Sequence, residues 1–133
     1  MTRNEKDLLL KDLCARLPYG VKVKFGDSKP ALLTVIEHDE FGWQIGSEDE
    51  FGGMITFIDN VKPYLFPMSS MTKEQKEEFN KQSLELQLKV IDEEIMYEKA
   101  TEFEVDFYNK HHLDWRGLIP MGLAIDATGL NIY

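Results

Sequence analysis

A single cysteine, Cys14, occurs in the 133-residue chain. That excludes an internal disulfide and a zinc site built from several thiolates of one chain. Cys14 falls within a leucine-rich helical pattern and is expected to be a small buried hydrophobe, since an apolar setting resists thiol ionisation. Long hydrophobic runs are also missing, and none approaches the roughly 20 apolar residues that a spanning helix needs. The segment Met1 to Asp7 is charged and of mixed sign, with no signal-peptide core after it, so a cytoplasmic protein without a membrane partner is expected. No Gly-rich phosphate loop, Gly-Lys-Ser/Thr ending or serine nucleophile elbow occurs, and no cofactor is called for.

Apolar residues make up 43% of the chain and charged residues 29%, which suits a globular fold rather than disorder. A chain of this length can bury roughly two-thirds of its unfolded surface. One domain spanning 1–133 is expected. The net charge of −9 is unevenly spread. Residues 1–29 hold seven Lys/Arg against four Asp/Glu, residues 30–66 one against seven, and residues 67–133 seven against thirteen. The acidic body repels phosphate backbones, which disfavours nucleic acid as a partner. Lys22, Lys24 and Lys29 are read as protecting an edge strand.

The hydrophobic spacing gives an α+β order. Leu9, Leu10, Leu13, Cys14 and Leu17 form one stripe of a helix over 3–17, capped by Thr2 or Asn4 and ended by Pro18 and Gly20. An antiparallel meander over 21–67 follows. Its strands are Val21 to Phe25, Ala31 to Glu37, Trp43 to Ile45, Met54 to Ile58 and Val61 to Phe66, with Pro63 confining the last to an edge or an end. Five short strands in so few residues suggest a curled sheet that closes as an SH3-like barrel. Thr72 with Gln75 is a capping box that starts a helix near Lys73, carrying Phe79, Leu84, Leu88, Ile91 and Ile95. Thr101 with Glu104 repeats the signature and predicts a second helix from Glu102 to about His111, completing a helical part over 72–117. The tail, 118–133, shows no clear period.

Two constellations invite a functional reading. His111, His112 and Asp114, beside Arg116, supply the donor types of many metal sites. Adjacent helical side chains diverge, however, and a helix C-terminus uses the same residue types to satisfy its free carbonyls. The second lies in the meander, where Asp39-Glu40-Phe41-Gly42 before Trp43 is echoed by Asp49-Glu50-Phe51-Gly52. Phe41, Trp43 and Phe51 beside those carboxylates could line a peptide groove or simply fill the core. The acidic turns could recognise a basic partner, bind a hard cation, or merely solvate the sheet.

Three stretches also carry a resemblance: Leu9 to Val23 (LLLKDLCARLPYGVKV, read with its flanking residue), Val61 to Thr72 (VKPYLFPMSSMT) and His111 to Ile119 (HHLDWRGLI). Together they resemble a group of small uncharacterised proteins from gut bacteria, their phages and mobile elements. Members of that group usually carry Arg at the position of Phe66 and Phe or Tyr at that of Trp115. The resemblance implies an accessory role rather than a housekeeping enzyme, and brings no activity or catalytic residue to any position here.

The expectation is therefore a non-enzymatic protein-interaction module. Its binding surface comprises Phe41, Trp43, Phe51, Asp39, Glu40, Asp49 and Glu50, and its partner is another protein. The alternatives are a metal-dependent enzyme using His111, His112 and Asp114, and an acidic decoy that mimics nucleic acid.

Overall fold

The computed structural model describes residues 1–49, 52–89 and 93–133, with side chains for all of these except 49, 52 and 93–97. Helix α1, Arg3–Arg16, opens the fold. Thr2 accepts from the Glu5 N–H at 3.1 Å while the Glu5 carboxylate accepts the Thr2 N–H at 3.2 Å, so two otherwise orphaned donors are satisfied reciprocally. A short 3-10 turn over Leu17–Tyr19 and a left-handed Gly20 (φ 74°) turn the chain into the strands. These are β1 Lys22–Phe25, β2 Ala31–Leu32, β3 Val35–Asp39, β4 Gly42–Asp49, β5 Gly52–Phe57 and β6 Val61–Leu65. Helices α2 (Lys73–Lys89) and α3 (Glu93–Lys110) follow, and a two-residue strand, β7 Ile125–Asp126, lies in the tail.

The strands divide into two sheets, β2-β1-β6-β7 and β3-β4-β5, and no ladder among the described residues closes them into a barrel. The expected strand Ala31 to Glu37 is broken at the junction. Leu33 N–H bonds to Val21 O in one sheet and Thr34 N–H to Gly46 O in the other, each at 3.0 Å. Only Leu33 of this run is buried, while Leu32 is 45% exposed, and composition alone does not reveal the corner between the halves. β1 is an interior strand, paired with β2 and β6, so Lys22 and Lys24 do not guard an edge. β6 is also flanked on both sides, yet β7 reaches only Tyr64 and Leu65. At Pro63 the strand pairs with β1 alone, which suits a residue without an N–H.

The core gathers Leu9 and Leu13 of α1, Val21, Val23 and Phe25, Ile45, Val61 and Leu65 of the two sheets, and Leu118, Leu123 and Ala124 of the tail. Cys14, expected inside, is exposed. The buried face of α1 instead carries Leu9, Asp12, Leu13 and Arg16. The tail is thus part of the core although its apolar residues follow no period.

The two C-terminal helices run antiparallel, with Phe79 of α2 against Phe103 and Phe107 of α3 (centroids 5.1 and 5.2 Å apart) and Lys110 near Glu78. The Thr72–Gln75 capping box forms in both directions, at 2.9 and 3.1 Å. The second one does not cap: Thr101 lies inside α3, which begins at Glu93. Ile95 therefore belongs to the second helix, and Ile91 lies outside the described residues. The segment before Thr101 (EEIMYEKA) is rich in good helix formers, and it runs through a motif that merely resembles a start.

Candidate functional site

The turn between β3 and β4 is built by Asp39. Its carboxylate accepts the Phe41 N–H at 2.8 Å and the side-chain amide of Gln44, while Gly42 takes a φ of 114° that disfavours other residues. This geometry pushes Phe41 outward, leaving it 72% exposed. Trp43 is 42% exposed and packs against His38, opposite it on β3, with ring centroids 4.8 Å apart. Burying neither aromatic has a cost in lost hydrophobic stabilisation, which a packed core would have recovered.

Phe41 and Trp43 form one wall of a cleft of about 410 Å³, within the usual range for ligand sites. The facing wall is the first two turns of α1, with Arg3, Lys6 and Leu10, and Phe57, Ile58 and Asp59 complete the lining. Lys6 pairs with Asp59 at 3.1 Å across the cleft. The site thus offers two exposed rings, apolar lining from Leu10 and Ile58, and charges of both signs. Of the other residues expected at this surface, Asp39 is committed to its own turn and Glu40 is exposed beside Phe41. Glu50, Phe51 and the side chain of Asp49 lie outside the described residues.

His111, His112 and Asp114 sit just beyond α3 and diverge. His111 faces α2, with Nε2 3.7 Å from Glu78 and its ring 4.5 Å from that of Phe107. Burial holds its imidazole below the usual value, against the opposing pull of Glu78. His112 takes a left-handed φ of 58° and stacks on Tyr133 at 3.8 Å. Burial first, then the nearby Arg16, lower its pKa to about 4, so it is neutral at pH 7. Asp114 accepts from the Leu118 and Ile119 N–H groups at 2.8 and 2.9 Å and so holds the following turn. Among the described residues no group of three His, Cys, Asp or Glu side chains converges on a point.

What the sequence reading missed lies beneath this corner. Asp12 and Arg16 are both 0% exposed, and Arg16 Nε meets Asp12 Oδ2 at 2.8 Å. Arg16 Nη2 donates to Leu113 O at 2.7 Å. Arg116 Nε stands 3.3 Å from the other Asp12 oxygen, near enough for an ion pair though not aligned as a hydrogen bond. Burial pushes the Asp12 carboxyl up, against the pull of Arg16. Arg116 in turn lies 4.1 Å over the Trp115 ring, whose Nε1 donates to Asn109 at 2.9 Å. The signal was present: Asp12 and Arg16 are an opposite-charge pair at i, i+4 on the face of Leu9 and Leu13.

Phe66 ties the same corner together, its N–H bonding His112 O and its O accepting the Asp114 N–H, each at 2.8 Å. The three stretches that carry the resemblance thus meet around one buried ion pair. The arrangement fixes the corner. No helix among the described residues is long and apolar enough to cross a membrane. No protein-family model matches the chain, and neither curated proteins nor solved structures give a match.

Proposed function

We propose that the protein is a non-enzymatic interaction module that seats a segment of another protein in the cleft between the β3–β4 turn and α1. The observation that carries this reading is Phe41, a large aromatic 72% exposed on the turn that Asp39 holds, beside the half-exposed Trp43. Aromatic side chains around a small desolvated pocket are the usual anchors of protein recognition. Arg3 and Lys6 with Asp7 and Asp59 in the lining give the site both charge signs with which to orient a polar segment. The resemblance adds an expected setting, the accessory proteins of phages and mobile elements.

The test is affinity capture from host lysate after nuclease treatment, with wild type compared against Phe41→Ala and Trp43→Ala. Each exchange should weaken capture of the same partner about tenfold or more, the effect of losing an interface anchor, while the circular dichroism and melting temperature hold. Unchanged capture by both variants would place the binding surface elsewhere.

A further inference from the structure

Edge strands present unpaired backbone groups, and proteins usually shield them with charge, proline or brevity. Two edges here follow that rule. β2 is two residues long and preceded by Lys29-Pro30, and β3 carries Glu37 and Asp39. β5, Gly52–Phe57, does not: its sequence GGMITF has neither charge nor proline, and among the described residues its only ladder is with β4.

The outward groups of β5 can be identified. Glu48 N–H donates to Thr34 Oγ1 and Gly46 O accepts from Thr34 N–H, so Gly46 and Glu48 direct their backbone polar groups toward β3. By alternation Ile45 and Ser47 direct theirs toward β5, and the register pairs them with Thr56 and Met54. Gly53, Ile55 and Phe57 therefore point their N–H and C=O groups away from the sheet. Ile55 and Phe57 are also 51% and 47% exposed. Their cross-strand partners Gly46 and Gln44 lie opposite the face that buries Ile45, so these side chains stand on the outer face.

We infer that β5 pairs antiparallel with β5 of a second copy, centred on Ile55, joining two three-stranded sheets into one of six. The strand is complementary to itself. With Ile55 opposite Ile55 of the second copy, Gly53 falls opposite Phe57, so a ring covers the position that has no side chain, a pairing known to stabilise glycine in sheets. Met54 falls opposite Thr56. Every pair is uncharged, which matters because two copies at −9 repel each other elsewhere.

The test is the solution mass of the full chain with crosslinking in a Cys14→Ser background. Wild type should be a dimer by light scattering. Ile55→Cys should form a disulfide dimer on oxidation, because directly opposed hydrogen-bonded residues have Cα atoms about 5.5 Å apart, within disulfide reach. Phe57→Cys should not, since its two copies lie on the order of 14 Å apart. Ile55→Lys, which opposes two like charges, should raise the dimer Kd about tenfold or more. A wild type that stays monomeric at the highest monodisperse concentration overturns the inference, and so does a dimer that Ile55→Cys fails to crosslink. Phe57 lines the Phe41–Trp43 cleft and Ile55 does not, so Ile55→Lys is the variant that separates a lost dimer from a lost capture.

Discussion

Removing one member of the Asp12–Arg16 pair leaves the other charged and without water. Arg16→Ala should therefore cost about 3–5 kcal/mol of unfolding free energy, read by urea denaturation. The double exchange Asp12→Leu with Arg16→Met should cost less than Arg16→Ala alone, since it removes both charges and keeps most of the volume. A loss below about 1 kcal/mol for Arg16→Ala would mean water reaches the site, as for a surface pair. His112 gives a second check at this scale. Its folded pKa of about 4 lies below the ordinary value of 6.5, so the unfolded chain binds the proton first. Its contribution is complete above pH 6.5 and is lost as pH falls toward about 4. Asp12, whose pKa is raised, titrates with the opposite slope, so the comparison is between wild type and His112→Asn, a residue that tolerates the left-handed φ. Melting temperature should fall less steeply between pH 6.5 and 4 in the variant; parallel curves would contradict the buried, neutral imidazole. Leu9 and Leu13 were legible from spacing alone. Arg16 was not, because a charge at a core position reads as a surface residue until its partner and the carbonyl of Leu113 are in view.

Among the elements, capping chemistry was legible where an irregular segment precedes it and misleading where helix already runs. Thr72 follows the 3-10 turn Met68–Ser70 and caps α2; Thr101 repeats its spacing in mid-helix. Thr72→Ala should cost about 0.5–2 kcal/mol, as seen in thermal melts. An unchanged melting temperature would contradict the cap at Thr72. The α+β order, with a leading helix, antiparallel strands and two later helices, followed from periodicity. The two-sheet division did not, because the corner at Leu33-Thr34 is made by backbone hydrogen bonds to Val21 and Gly46. Such bonds leave no mark on side-chain pattern.

Across the whole molecule, the buried ion pair and the exposed aromatic turn occupy different regions. The stretches Leu9–Val23, Val61–Thr72 and His111–Ile119 converge on the buried ion pair and the Phe66 backbone. That convergence gives the histidines structural work: one stacks on Tyr133, the other packs on Phe107. The aromatic turn lies apart from that corner, on the β3–β4 hairpin against the start of α1. Phe41 and Trp43 were visible in the sequence as aromatics beside acidic turns. Their cleft was not, because its other wall is α1, more than thirty residues earlier in the chain. The most direct test is hydrogen exchange on the captured complex, compared residue by residue with the free protein. The cleft reading predicts slowed exchange at Phe41–Trp43 and along the first turns of α1. Protection confined to His111–Arg116, with Phe41–Trp43 unchanged, would contradict it.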